Sequence, residues 1–278
     1  EKSENLSGLN YSYNINKNNL WSWIKDNQPK LSLIIHLGAC TDTTELDKKY
    51  LKNNNFEYSK RLFKIAKREN IPFIYASSAA TYGDGSNGFS DEHSKLKDLK
   101  PLNEYGRSKH YFDKWLILQK EKPNHWVGLK FFNVYGPNEK HKKNMASAVF
   151  KFVNQAKQNN LIKIFKGSHG YSKGQHERDF IFVDDVIETI MWFSFSSTKN
   201  GIYNVGTGIT TTFNNIAKCI SKIKKDVNVM YIDFPNHLYD IYQAYTKADI
   251  NKLKNSGFKH NFISIDQGIK KMIEIYFE

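Results

Sequence analysis

The chain has 278 residues, 40% of them apolar and 14% aromatic, which is enough to bury a sizeable core in one large domain or two unequal ones. This composition excludes a disordered chain. The net charge of +13 invites a nucleic-acid interpretation, but the lysines are scattered and no zinc-finger spacing or RNA-recognition motif accompanies them. We interpret them as a solvated surface whose field also favours an anionic substrate.

Targeting and metal signals are missing from the sequence. No apolar run approaches the ~20 residues that a membrane span needs, and residues 1–10 lack the basic and apolar stretches of a signal peptide. Cys40 and Cys219 have no metal or redox spacing, so we interpret them as reduced thiols and predict no metal site. We therefore expect a cytoplasmic protein that has no membrane or nucleic-acid partner. Separately, we expect it to assemble as a homo-oligomer.

The first half of the chain alternates between strand and helix patterns. A short helix at 18–27 is followed by three short apolar runs, typical of strands buried on both faces, at 31–39, 71–78 and 126–136. Helical patterns at 43–70 and 104–122 separate these runs. This alternation predicts a parallel sheet with right-handed crossovers, and hence a doubly wound, Rossmann-like α/β fold.

The second half has a mixed pattern. We predict a helix at 145–160, a short strand at 162–165, a polar loop at 167–177, a strand leading into a helix at 180–197, strands at 202–205 and 227–232, and helices at 212–225 and 262–277. We interpret this half as a smaller mixed α/β substrate domain with one segment that returns to the main sheet. The predicted division is 1–136 plus 180–206 for the larger domain, and 137–179 plus 207–278 for the smaller.

The beginning of the chain differs from a complete dinucleotide-binding sheet. Such a sheet opens with a strand, a glycine-rich turn and a helix, whereas the first predicted strand here begins only at residue 31. One G-x-G-x-x-G match exists, at Gly83, Gly85 and Gly88, but no packed helix follows it, so we interpret it as a loop. We expect the first βαβ unit to lie outside this chain, leaving the sheet N-terminally truncated with an exposed apolar edge.

Three segments carry candidate chemistry. Ser78 ends a predicted strand, Tyr105 and Lys109 lie one turn apart on a predicted helix, and 132–137 (Phe-Asn-Val-Tyr-Gly-Pro) ends the next strand. The carboxyl ends of neighbouring parallel strands share one crevice. A phenol has a pKa near ~10, and an adjacent ammonium would lower it so that Tyr105 could act as a base. Such chemistry at a carbinol needs a nicotinamide to accept the hydride, because no side chain can.

In these segments the chain resembles the extended short-chain dehydrogenase/reductases, and within them the ADP-L-glycero-D-manno-heptose 6-epimerases. The matching stretches are 36–44 (HLGACTDTT), 75–83 (YASSAATYG), 101–109 (PLNEYGRSK), 131–137 (FFNVYGP), 141–147 (HKKNMAS), 178–180 (RDF), 203–208 (YNVGTG) and 242–246 (YQAYT). The resemblance implies inversion at C6 of the heptose in ADP-heptose through a transient ketone, for lipopolysaccharide core synthesis. It implies bound NADP (NAD in some members), although we expect poor NADP binding by this chain alone because of its beginning.

The resemblance also implies the site residues. The acid/base residues on the two faces of C6 would be Tyr105 and Lys142, with Ser78 and Lys109 as further catalytic residues. The cofactor site would comprise Leu37, Gly38, Ala39, Cys40, Thr41, Asn54, Tyr105, Lys109, Val134 and Lys142. The substrate site would comprise Ser78, Asn133, Asn144, Lys151, Phe165, Lys166, Gly167, Ser168, Arg178 and Tyr242.

Alternatives remain at this stage. Residue by residue, Lys142 is also compatible with an ordinary surface lysine, and Arg178 with a surface ion pair to Asp179. A UDP-hexose 4-epimerase or a sugar-nucleotide dehydratase would share the fold, but Ala79, Ala80 and Thr81 lack the acidic residue that a dehydratase usually has beside its serine. From a different class, a basic nucleic-acid-binding protein could use the same scaffold.

Overall fold

The computed structural model describes residues 4–196 and 199–277. The strands are β1 (Ile34–His36), β2 (Phe73–Ser78), β3 (Trp126–Phe131), β4 (Asn133–Tyr135), β5 (Leu161–Phe165), β6 (Glu177–Phe182), β7 (Gly201–Val205), β8 (Thr210–Thr212) and β9 (Asn228–Ile232). The helices are α1 (Leu20–Asn27), α2 (Lys48–Leu51), α3 (Tyr58–Arg68), α4 (Glu104–Ile117), α5 (Ala148–Asn159), α6 (Val183–Phe195), α7 (Phe213–Ile223), α8 (Asn251–Asn255) and α9 (Ile265–Phe277). A π-helical segment, Lys52–Glu57, joins α2 to α3.

The main sheet has the order β1-β2-β3-β7, and every pairing in it is parallel. Strand β2 is buried along nearly its whole length, as its unbroken apolar run predicts. Helices α3 and α4 make the crossovers between β1, β2 and β3. The predicted parallel sheet is confirmed, and its carboxyl-terminal edge is the place where Ser78 ends β2.

The segment 126–136 is two strands rather than the single strand that the apolar run predicts. At Phe132 the backbone N–H donates to the Val205 carbonyl at 3.0 Å, and the N–H of Val134 bonds back to Phe132 at 2.9 Å. The chain bends there, and the Phe132 ring, 5% exposed, is buried in the core of the main sheet. After the bend, β4 pairs with β6 in a separate sheet of order β4-β6-β8.

A second core lies under the remaining elements. Helices α5, α7 and α9 pack together over the parallel pair β5-β9, and Val153, Ile216 and Ile269 from these three helices are fully buried. The returning segment that the sequence indicates is β7, which pairs with β3. The division into a cofactor domain and a substrate domain stays a prediction.

The glycine motif lies in a loop, as interpreted from the sequence. Gly83, Gly85 and Gly88 all have positive φ, and they lie between two short 3₁₀ turns, Ala79–Tyr82 and His93–Asp98. A Cβ on Gly83 would come within 2.0 Å of the Lys100 carbonyl oxygen, so the glycine is needed for close backbone packing. Within 4–196 and 199–277, none of the helices combines the length and the apolar character needed to cross a membrane.

A buried ion pair fastens α4 to the main sheet. Asp113 on α4 and Lys130 on β3 are both fully buried, with 2.7 Å between the carboxylate and the ammonium. The carboxylate also accepts from the hydroxyls of Tyr75 (2.8 Å) and Ser77 (2.7 Å) on β2, and the ammonium also donates to Thr81 at 2.6 Å. These bonds satisfy the two charges that folding removes from water.

We expect Lys130→Met to lower the free energy of unfolding by about 3–5 kcal/mol, because the Asp113 carboxylate would stay buried without its cation. Urea denaturation of the variant measures this change. The control is Lys67→Met, which removes an exposed partner of Glu121, and the free energy of unfolding should barely move. Equal effects of the two substitutions would contradict the structural importance of the buried pair.

Candidate active site

The carboxyl-terminal edge of the main sheet holds Ser78, Tyr105 and Lys109 close together. Ser78 begins a 3₁₀ turn, and its hydroxyl accepts from the N–H of Ala80 at 3.1 Å. Asn103 caps α4 by accepting from the N–H of Gly106 at 2.8 Å, which places Tyr105 in the first turn of the helix and Lys109 in the next. The predicted helical placement of this pair is therefore confirmed.

The phenol of Tyr105 is buried, and this decides its acidity. Burial raises the pKa of Tyr105, and a hydrogen bond to the Ser78 side chain offsets part of the rise. Lys109 is also buried, which lowers its pKa to about 8, and its ammonium donates to the Ala76 carbonyl at 2.9 Å. The sequence-based expectation of a lowered Tyr105 pKa is thus wrong for this state of the protein, because desolvation of the phenol outweighs the other influences.

The turn 37–41, which follows β1, is held against α4 by Asn55. The Asn55 amide accepts from the N–H of Cys40 at 2.8 Å and donates to its carbonyl at 2.9 Å, and it also donates to the Ser108 hydroxyl at 2.9 Å. Cys40 lies near enough to Tyr105 to contribute, after burial, to the rise of the phenol pKa. Leu37, Gly38 and Thr41 are exposed, so this turn presents open backbone at the edge of the sheet.

Sequence reasoning chose Asn54 and missed its neighbour Asn55. Asn55 is 1% exposed. The Asn54 side chain instead accepts a hydrogen bond from the Lys17 ammonium at 2.5 Å and donates one to the Asn55 side chain at 3.0 Å. The π-helical segment Lys52–Glu57 carries both residues, and such widened turns often occur at functional sites. A helical pattern does not reveal which of two adjacent asparagines faces inward when one turn is widened.

A cavity of about 600 Å³ opens beside this edge. Of the residues predicted to bind substrate or cofactor, it is lined by Asn133, Val134, Lys142, Lys151, Phe165, Arg178 and Tyr242. Asn103 and the threonines at 43 and 44 also line it, and they connect it to the start of α4 and the end of the turn 37–41. The predicted site residues that do not line the cavity are Leu37, Gly38, Ala39, Cys40, Thr41, Asn54, Ser78, Tyr105, Lys109, Asn144, Lys166, Gly167 and Ser168.

Arg178 is a buried cation at the wall of the cavity. It is 8% exposed, its guanidinium lies 4.7 Å from the centre of the Tyr242 ring, and burial lowers its pKa. Asp179 does not pair with it, but instead accepts from the backbone N–H groups of Thr207 (2.8 Å) and Gly208 (2.9 Å). The alternative of a surface ion pair is therefore wrong, and Arg178 is available to an anion.

The segment 165–176 divides between the cavity and the surface. Lys166 points away and pairs with Asp233 at 2.7 Å. The Ser168 hydroxyl lies 2.8 Å from Nε2 of His176, a cavity residue that sequence reasoning missed and that is 1% exposed. His176 packs against the ring of Tyr242, so Ser168 supports the cavity wall through this histidine rather than lining it.

Two lysines face the cavity from the loop before α5 and from α5 itself. Lys142 lies 3.3 Å from the carboxylate of Glu139, and Lys151 donates to the Asn144 carbonyl at 2.6 Å. Burial lowers the pKa of Lys151. Together with Arg178 they give the cavity a cationic wall, which suits a phosphorylated ligand. Glu139 itself, 4% exposed, was not identified from the sequence.

Known proteins resemble this chain in sequence. The sequence profile of the NAD dependent epimerase/dehydratase family matches residues 11–206. The ADP-L-glycero-D-manno-heptose-6-epimerase of Fusobacterium nucleatum subsp. nucleatum is 41% identical over 288 residues, which cover 99% of this chain and 87% of the relative. The enzyme of that name from Brachyspira hyodysenteriae is 40% identical over 282 residues, covering 99% and 86% respectively.

Solved structures show the same fold. The crystal structure of Helicobacter pylori ADP-L-glycero-D-manno-heptose-6-epimerase superposes with a TM-score of 0.80 at 28% identity, covering 94% of this chain and 77% of the other. UDP-glucose 4-epimerase from Thermotoga maritima gives 0.78 at 22% identity, covering 98% and 88%, and shows likeness of fold alone. These matches confirm the predicted Rossmann-like α/β class. The chain belongs to the NAD dependent epimerase/dehydratase family and, within it, to the ADP-L-glycero-D-manno-heptose-6-epimerases.

Proposed function

We propose that this protein inverts C6 of the heptose in ADP-glycero-manno-heptose, from the D-glycero to the L-glycero form, by transient oxidation to a 6-keto sugar with NADP. The observation that carries the proposal is the meeting of two features at one sheet edge. The Ser78 and Tyr105 side chains are hydrogen-bonded to each other, and Asn103, the cap of the helix that carries Tyr105, lines a cavity whose wall also holds Lys142 and Arg178. The relatives at about 40% identity have names that state this substrate and this position.

The residues present fit a nicotinamide cofactor, and NAD would suit the same positions. The exposed turn at Leu37 and Gly38 offers open backbone, since nothing lies within 4 Å of a Cβ built on Gly38. Asn55 would keep this turn beside Tyr105, and Lys109 and Val134 would complete the site. When bound, the nicotinamide supplies the hydride acceptor and donor that no side chain provides.

Two side chains would then act as general acid and base at the C6 oxygen. Tyr105 would take it on one face of the carbon, with Ser78 orienting the oxygen, and Lys142 would serve on the opposite face. Arg178 and Lys151 would hold the pyrophosphate of the ADP group, and Asn133 and Tyr242 the remaining contacts of the sugar nucleotide. We place this activity in the cytoplasm, where its product would serve lipopolysaccharide core assembly.

We expect Tyr105→Phe to lower epimerase turnover by at least about 100-fold, because only the phenolic oxygen can move the proton. The ring and the helix stay in place, so the affinity for cofactor, measured by fluorescence titration, should be unchanged. Turnover is followed by separating the two epimers of ADP-heptose. Activity within a few-fold of wild type would remove Tyr105 from the mechanism.

We expect the advantage of wild type over Lys109→Met to shrink as the pH rises. The variant lacks the ammonium that would stabilise the phenolate, whereas the wild type loses that ammonium as the pH rises above the Lys109 pKa of about 8. Rising pH also increases the small phenolate fraction of Tyr105 in both proteins, because burial raises the pKa of this phenol. The ratio of the two turnover rates should fall about tenfold between pH 7 and pH 9.5. Lys114→Met, on the exposed face of α4, is the control, and a ratio that is constant with pH would contradict the electrostatic role.

Lys142→Met should stop epimerisation while leaving hydride chemistry on the Tyr105 face. A heptose analogue with an aldehyde at C6 separates the two, since its dismutation to acid and alcohol needs only one face. We expect epimerisation to fall at least about 100-fold and dismutation to stay within about threefold. If the variant epimerises normally, Lys142 is a solvated lysine and the second acid/base residue lies elsewhere.

A further inference from the structure

Glu139 is a buried carboxylate beside the cavity whose two oxygens each accept from two donors. One oxygen accepts from the N–H of Gly136 at 3.2 Å and from the Ser147 hydroxyl at 2.7 Å. The other accepts from the N–H of Ser147 at 2.9 Å and from the Lys142 ammonium at 3.3 Å. A carboxylate that is 4% exposed needs such partners, because burying an unpaired charge is costly.

Three of these four donors belong to fixed parts of the fold. Gly136 follows β4 directly, and Ser147 is the N-cap of α5, where its hydroxyl accepts from the N–H of Phe150 at 3.1 Å. The N-terminus of a helix also favours a negative charge. Glu139 is therefore anchored between a strand end and a helix start, and its position does not depend on Lys142.

The position of the Lys142 side chain depends on Glu139 much more than the position of Glu139 depends on Lys142. Its side chain is 41% exposed and comes from a short 3₁₀ segment, Lys140–Met145, rather than from a long helix. A lysine with four rotatable bonds and an exposed head would otherwise sample many rotamers. The carboxylate of Glu139 thus supplies a fixed counter-charge, 3.3 Å away, for this partly exposed lysine.

We propose that Glu139 is the positioning residue for Lys142: it holds the ammonium at the cavity wall in the orientation that proton transfer to the substrate requires. This inference rests on the proposed role of Lys142 as the second acid/base residue. Glu139 lines the cavity, but four donors already occupy its two oxygens, so we expect it to act through the lysine. Its loss should therefore impair only the half of the reaction that uses Lys142.

The experiment compares Glu139→Gln with wild type in two assays, epimerisation of ADP-heptose and dismutation of the C6 aldehyde analogue. We expect kcat for epimerisation to fall at least about 30-fold with little change in KM, and dismutation to stay within about twofold. In the Lys142→Met background, Glu139→Gln should cause no further loss, since both substitutions remove the same function. The matched control is Glu274→Gln, which breaks an exposed i,i+4 pair with Lys270 on α9 and should leave both assays unchanged.

Each outcome of the two assays either supports or overturns the positioning role of Glu139. A selective loss of epimerisation supports the positioning role, whereas equal losses in both assays, or normal epimerisation, overturn it. Thermal unfolding checks that the variant folds. If it does not, Ser147→Ala, which removes one of the two donors to one carboxylate oxygen, should give the same selective loss in milder form. Normal epimerisation by Lys142→Met alone would instead show that the proposed function of the lysine has failed, which is a separate outcome.

Discussion

Asp113 brings together three elements that must meet for any site to exist at this sheet edge. Its carboxylate joins α4 to β2 through Tyr75 and Ser77, and to β3 through Lys130. The residue next to Ser77 is Ser78, and Asp113 lies two turns along α4 from Tyr105. The relative position of the serine and the phenol therefore follows from a buried charge pair. Such a pair contributes more to fixing one arrangement than to net stability, since desolvation offsets much of its attraction.

Glu139 repeats this design at the cavity wall. Both acids are buried, and both receive hydrogen bonds from residues on more than one element of secondary structure. They differ in what they hold: Asp113 fixes a helix, whereas Glu139 fixes a loop and a single exposed lysine. The buried phenol of Tyr105 belongs to the helix that Asp113 holds, whereas the partly exposed ammonium of Lys142 lies next to Glu139.

The sequence predicts those parts of the fold that are determined by residues close together in the chain. Strand β2 is recognisable because it is buried on both faces, and the Tyr105–Lys109 pair because one helical turn separates them. Asn55 and Glu139 were missed because their partners are far away in sequence or hidden in a widened turn, so nothing near them signals burial. The bend at Phe132 depends on a hydrogen bond to Val205, which no pattern within 126–136 contains. The family resemblance made Lys142 a candidate, but its counter-ion, Glu139, could be recognised only from the folded structure.

The bend at Phe132 also sets how much freedom the two walls have relative to each other. Lys130, in the Asp113 network, and Gly136, in the Glu139 network, belong to one short stretch of chain that passes directly between the two sheets. Planar peptide bonds leave only φ and ψ free at each residue along it, and strand pairing of β3 and β4 restrains most of these. The stretch is thus a stiff covalent link, so we expect the distance between the Asp113 network and the Glu139 network to stay nearly constant.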